Sequence, residues 1–231
     1  MKEIQFGLKN YWKMFKARGV LYPLAYFFQV RWFDIRRQVD THLWVPKEFE
    51  INGLPNMSHG YIYTASKTND VKNAFVTTRQ FLGNEFRSFD FLDIGSGKGK
   101  VILVWQLLCK KKGLTQKIMG IEYSKTLVDI SKANFASMFK RDPQESFVLG
   151  DFTDVDFANL SDNLIIYLNN PFDNFLIFKL IQKLESKKVF VIYCNPKHTS
   201  VFIDNNFLEV RIKRSWLGSD FDARFFANFA V

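Results

Sequence analysis

Three glycines at alternate positions follow an acid in the run Asp93-Ile94-Gly95-Ser96-Gly97-Lys98-Gly99. Glycines so spaced let a backbone turn sharply without a Cβ clash and leave bare peptide on which a ligand can lie. A helix starting directly afterwards adds positive potential at the same place. Two more acids follow, each next to an aromatic residue: Glu122-Tyr123 and Asp151-Phe152. A carboxylate at the tip of a strand can accept both hydroxyls of a ribose, which is the role open to Glu122. Asp151 can accept a hydrogen bond from an exocyclic amino group while Phe152 contacts the base. Further on stands Asn169-Asn170-Pro171-Phe172. Two amides before a proline and an aromatic ring could hold a nitrogen group for reaction, where orientation matters more than a strong base. The same four residues also read as an Asn-Pro turn ending a strand.

These roles require the acids and amides to sit at successive strand tips, and the flanking sequence predicts that placement. Phe89–Ile94 is a short apolar run ending at Gly95, a buried strand. Lys98–Lys112 carries Val101, Val104, Trp105 and Leu108 at helical spacing, with Gly113 as the stop. Lys117–Tyr123 reads as a second strand, and Ser124 as the cap of a helix over Lys125–Phe139. Ser146–Leu149, Asn163–Leu168 and Lys188–Cys194 read as strands three to five, with a helix over Phe172–Leu184 and a short helix or loop over Pro196–Asn205. Phe207–Trp216 and Phe221–Phe229 alternate and are joined by Leu217–Asp220, which predicts a hairpin. The sum is an α/β chain: a doubly wound, mostly parallel seven-stranded sheet with a C-terminal antiparallel hairpin. Ligands of such sheets bind at the carboxyl ends of the strands.

Residues 1–88 are of different character, aromatic and basic in patches, and are expected to form an N-terminal helical extension over the ligand cleft of residues 89–231. Helices are predicted over Leu8–Arg18 and Ala25–Arg37, broken near Gly19 and Pro23, and over Val71–Phe86. Asn52–Ser66 reads as a loop whose His59 and Tyr61, with the distant His198, could line the mouth of a site.

Spacing argues against two nucleotide-binding patterns, a dehydrogenase's among them. A dinucleotide fingerprint would need Gly or Ala at position 100, where Lys100 stands, and the phosphate loop G-x-x-x-x-G-K-[ST] is absent. The D-x-G-x-G-x-G spacing instead resembles the first motif of class I S-adenosylmethionine-dependent methyltransferases. The layout over roughly residues 60–206 is similar to a set of bacterial members of that class, through the LDIGSGKG-type loop, Gly120–Ser124, the turn Asn170–Phe172 and Asn195-Pro196. The resemblance implies a Rossmann-like methyltransferase fold with S-adenosylmethionine as cofactor. It implies Asp93, Gly95, Ser96, Gly97 and Gly99 at the methionine end, Glu122 and Tyr123 at the ribose, and Asp151 and Phe152 at the adenine. Asn169-Asn170-Pro171-Phe172 resembles the [Asn/Asp]-x-Pro-[Phe/Tyr] motif of enzymes that methylate nitrogen. That implies an amine acceptor, a protein lysine or a small molecule, with either asparagine as its orienting amide. The alternatives are a non-catalytic adenosyl-binding protein, or a membrane- or RNA-associating protein working through its N-terminal segment.

Composition narrows the rest. The formal net charge is +9 among 231 residues, and most of the excess precedes residue 88. A basic surface suits nucleic acid, anionic lipid or acidic protein without choosing among them. Phe is over-used at 26 copies, consistent with a Phe-rich core. The aromatics and cations interleaved between Tyr11 and Arg37 could pack on the sheet edge or lie on a membrane surface. Cys109 and Cys194 fit neither a metal spacing nor a disulfide framework. Together with an N-terminus unlike a signal peptide, they suggest a reducing cytoplasm. No apolar run is long enough to span a bilayer. The histidines His42, His59 and His198 are too dispersed to predict a metal site.

Overall fold

The computed structural model describes residues 12–13, 15–17, 19–43, 56–61, 63–140, 143–210 and 221–230. Part of the predicted helix Leu8–Arg18, most of the strand predicted over Phe207–Trp216 and the turn Leu217–Asp220 lie outside them.

Seven strands form one sheet: β1 (Asp90–Ile94), β2 (Ile118–Glu122), β3 (Phe147–Leu149), β4 (Asn163–Asn169), β5 (Lys188–Cys194), β6 (Leu208–Glu209) and β7 (Ala223–Ala227). Their order is β3-β2-β1-β4-β5-β7-β6. β1 to β5 run parallel, while β7 is antiparallel to both β5 and β6. Strand order reverses between β1 and β4, so a crevice opens at their carboxyl ends. The central strands are apolar along most of their length because helices cover both faces. The connecting helices are α4 (Lys100–Lys112), α5 (Lys125–Phe139), α6 (Asn174–Lys183) and α7 (Ser200–Asp204). They follow α3 (Thr68–Leu82), which packs beside α4.

Caps set where the helices start. Ser124 Oγ accepts from Leu127 N at 3.4 Å and Asp173 Oδ1 from Leu176 N at 3.2 Å, satisfying orphan first-turn donors. On one face of the sheet, Phe91 stacks on Trp105 at 3.9 Å, with Phe75 and Phe86 packed around the indole. Trp105 N–H donates to Gln116 Oε1 at 2.7 Å, so this ring is both buried and polar-satisfied. Much of the phenylalanine excess is therefore core.

The N-terminal helix differs from expectation in one respect. α1 (Leu21–Tyr26) continues through a π-helical turn, Phe27–Arg31, into α2 (Trp32–Arg37). Pro23 does not break it, because Pro23 lies in the first turn, where its missing N–H has no intrahelical acceptor anyway. The break falls at Gly19, in the left-handed region at φ 79°. The carbonyls loosened by the π turn are held from outside: Thr68 Oγ1 donates to Gln29 O at 2.8 Å, and Lys100 Nζ to Val30 O at 2.9 Å. No helix among the described residues is long and apolar enough to cross a membrane.

Candidate functional site

The crevice holds a cavity of ≈ 540 Å³, within the range of about 300–1,000 Å³ usual for small-molecule sites. Its wall includes Asp93, Gly95, Ser96, Glu122 and Tyr123, and on the other side Asn169, Asn170, Pro171 and Phe172. Residues from α1 and the π turn, Tyr22, Tyr26 and Val30, close it from above. A second, much smaller hollow of ≈ 20 Å³ holds Asp151 and Phe152 and shares Gly95, Glu122, Tyr123 and Phe172 with the first. The two are therefore lobes on either side of the β2 tip. Gly97 and Gly99 belong to neither wall.

Asp93, near the carboxyl end of β1, is 2% exposed, and its Oδ2 has no hydrogen-bond partner among the described residues. Burial, together with the nearby Glu122 carboxylate, holds its pKa well above the ordinary value. Ser96 Oγ is likewise buried and unpartnered. Buried polar groups in folded proteins almost always have partners. Two such orphans on the wall of one cavity point to a ligand that supplies them.

Glu122 clamps the loop. Its Oε2 accepts from Gly97 N at 2.8 Å and its Oε1 from Ser124 N at 3.0 Å. The carboxylate thus fixes both the glycine turn and the start of α5, and any ribose must use its remaining lone pairs. The glycines also answer to the protein's own packing. A Cβ on Gly97, where φ is +53°, would lie 2.2 Å from Tyr63 Cε2, and one on Gly95 would lie 2.8 Å from Pro171 Cβ. Tyr63 therefore covers the bend at Gly97, anchored by its hydroxyl donating to Thr41 O at 2.6 Å.

The lobe at Asp151 is occupied by a side chain. Asn56 Nδ2 donates to Asp151 Oδ2 at 2.7 Å, while Asp151 Oδ1 accepts from Thr153 N at 2.9 Å and Thr153 Oγ1 at 2.8 Å. Phe152 is buried against Phe172, ring centroids 5.0 Å apart. Asn56 is held there by its own segment: Tyr61 N donates to Pro171 O at 2.9 Å and Asp173 N to His59 O at 3.1 Å.

The two asparagines differ. Asn169 Oδ1 accepts from Asn195 Nδ2 at 2.7 Å and its Nδ2 donates to Thr64 O at 3.2 Å. Asn170 Oδ1 accepts from Tyr193 O–H at 3.1 Å. Asn170 and Asn195 have φ of 46° and 49°, a conformation asparagine tolerates better than most residues.

Of the mouth residues, Tyr61 lines the cavity and its hydroxyl lies 3.2 Å from His198 Nε2. His59 turns away to Asp173 Oδ2 at 2.6 Å. Tyr63, Asn56, Tyr22 and Tyr26 were not singled out by sequence. Each stands in a loop or helix far along the chain from its partner, with no spacing to mark it. Among the described residues, Asp34, Asp40 and His42 do gather their side-chain atoms within 4.8 Å. Asp34 is engaged by His42 Nδ1 at 2.7 Å and the Thr41 and His42 amides, and Asp40 by Lys98 Nζ at 2.7 Å. These are protein contacts: Asp34 ties Thr41 and His42 to α2, and Lys98 ties Asp40 to the glycine loop.

No family model matches the chain, and no curated protein matches it. Among solved structures it is similar to magnesium protoporphyrin IX methyltransferase from Synechocystis PCC 6803 with bound SAM, at 12% identity and TM-score 0.47 over 88% of this chain and 93% of that one. It is also similar to a ribosomal protein L11 methylase from Lactobacillus delbrueckii subsp. bulgaricus, at 14% and 0.44 over 82% and 94%. A third is a putative class I S-adenosylmethionine-dependent methyltransferase from Listeria monocytogenes, at 11% and 0.48 over 71% and 60%. The strand order, with its single reversed strand β7 inserted between β5 and β6, decides the architecture. The fold is the Rossmann-like methyltransferase fold.

Proposed function

We propose that this chain binds S-adenosylmethionine in the β1–β4 crevice and transfers its methyl group to a nitrogen acceptor, a protein lysine or a small amine. The observation that carries the reading is the pair of buried, unpartnered atoms, Asp93 Oδ2 and Ser96 Oγ, on the wall of one cavity at the strand tips. The Asp93 carboxyl, ionised by the approach of an ammonium, and the Ser96 hydroxyl suit the ammonium and carboxylate of an amino acid. Glu122 and Tyr123 stand at the junction of the two lobes, where a ribose joins the ends of such a ligand. Asp151 would take the adenine amino group once Asn56 withdraws. The carboxamide of Asn56 already makes to Asp151 the contact such an amino group would make.

Bound there, the cofactor supplies a methyl carbon made electrophilic by its sulfonium. The chain's task is to orient the acceptor and exclude water. Asn170 is the better placed of the two amides for orientation, because Asn169 is already tied at both ends to Asn195 and Thr64. Phe172, buried beside it, gives the acceptor an apolar floor.

Calorimetric titration with S-adenosylmethionine tests the reading. Wild-type protein should bind, and Asp93→Ala should lose at least about tenfold in affinity, as a lost charge-assisted contact implies. Equal affinity in the two would overturn the assignment. Transfer from labelled cofactor to components of a lysate then separates an enzyme from a protein that only binds.

A further inference from the structure

The helix running from Leu21 to Arg37 has two unlike faces. One is turned inward: Val30 and Asp34 are 1% and 3% exposed, and Tyr22, Tyr26 and Val30 wall the cavity. The other carries an apolar stripe turned to solvent, with the exposed Arg36 and Arg37 at its end. Leu21, Leu24, Phe28, Trp32 and Ile35 are 75%, 53%, 59%, 45% and 52% exposed. Their spacing of three, four, four and three residues puts them on one stripe. The outer face of a surface helix is ordinarily polar, and a contiguous apolar patch marks an interaction site.

Phe28 and Trp32 also wall a groove of ≈ 550 Å³ between this helix, α3 and α4. Its rim carries Arg36, Arg37, Lys72, Lys110 and Lys111, and among the described residues none that lines it is acidic. An apolar stripe edged by cations is the chemistry of a helix lying in the headgroup layer of an anionic bilayer. A second copy suits it poorly, since a two-fold contact sets the same patch against itself and brings the two cationic rims together. Single-stranded RNA suits it poorly as well. Phe28 and Trp32 meet at 62° and Phe27 and Phe28 at 87°, which gives no parallel platform for stacking, and the three aliphatic side chains have nothing to offer a nucleotide.

We propose that the outer face of the Leu21–Arg37 helix docks on anionic lipid membrane, with Leu21, Leu24, Phe28, Trp32 and Ile35 sunk among the headgroups and the groove's arginines and lysines against lipid phosphate. The proposal is independent of methyl transfer. It places the roof of the cavity, whose other side is formed by Tyr22, Tyr26 and Val30, next to the lipid surface.

Flotation of the full-length protein with vesicles tests it. The protein should float with phosphatidylcholine vesicles containing phosphatidylglycerol and not with phosphatidylcholine alone, and added salt should weaken the association. Phe28→Ser with Trp32→Ser, and separately Lys110→Glu with Lys111→Glu, should each reduce binding at least about tenfold. These side chains are exposed, so melting temperature should be unchanged and serves as the check on folding. Failure to float with anionic vesicles overturns the proposal, as does flotation that neither double variant affects. A concentration-dependent dimer lost in the aromatic variant, or RNA retention without vesicle binding, would overturn it in favour of a second copy or of RNA.

Discussion

Asn56 Nδ2 lies 2.7 Å from Asp151 Oδ2, although the two residues are 95 positions apart. A neutral amide donor thereby satisfies a carboxylate at the tip of β3 and fills the hollow beside Phe152. If Asp151 is the adenine acceptor, this contact competes directly with the ligand. Asn56→Ala should then tighten S-adenosylmethionine binding by about tenfold, the worth of one hydrogen bond to a charged group, as read by calorimetry. Weaker binding in that variant would instead make Asn56 a direct contact of the cofactor.

Tyr63 and Gly97 form a second pair to separate by mutation. A methyl group on Gly97 meets the Tyr63 ring at 2.2 Å, at a φ of +53° that L-residues rarely adopt. Gly97→Ala should destabilise the ligand-free protein by about 1–3 kcal/mol. Tyr63→Ala should recover the steric part of that cost and leave the conformational part. A double-mutant cycle in urea measures the coupling. Strict additivity of the two would mean that the ring does not press on the turn.

Asp93 makes stability depend on pH with a definite sign. Burial and Glu122 raise its folded pKa well above the ordinary 3.8, so the native state keeps a proton that the unfolded chain releases. Stability from this group is complete below the unfolded value and is lost as pH rises through the folded one. Asp93→Asn should therefore melt higher than wild type at neutral pH, and the difference should vanish near pH 4. Melting curves across that range check it. The same substitution should weaken cofactor binding, so stability and binding move in opposite directions.

Lys100 has the reverse behaviour. Burial lowers its pKa to about 8, so between about 8 and 10.5 the unfolded chain holds a proton that the native state has shed. Stability from Lys100 is thus gained as pH rises through that window. Melting temperatures of wild type and Lys100→Met should diverge in favour of wild type from pH 8 to pH 10. A constant difference would mean that Lys100 does not titrate there.

The sheet could be read from sequence because its signals are local. β5 lies over Lys188–Cys194 and α5 over Lys125–Phe139 as predicted, since a buried parallel strand is a continuous apolar run and a capped helix announces its start. β6 is described at Leu208–Glu209, and most of the rest of the strand predicted over Phe207–Trp216 lies outside the described residues. In the site, the glycine loop and the three acids were legible as a series of strand tips. The lids over them were not. Tyr63 and Asn56 belong to a loop whose conformation is set by contacts to residues 41, 151 and 171, and no periodicity within Asn52–Ser66 encodes such contacts. Pro23 misled for a related reason: its effect depends on which turn of a helix it occupies, and only the three-dimensional start of that helix fixes this.

Lys98 and Lys100 flank Gly99, and both reach out of the loop into the same stretch of preceding chain, one to Asp40 Oδ2 and the other to Val30 O. The ceiling of the chamber is thus riveted to its floor at two points one residue apart. Neither surface can swing aside alone without leaving an ammonium group unpaired at 2% exposure. Opening the chamber at its roof accordingly takes joint displacement of helix and turn.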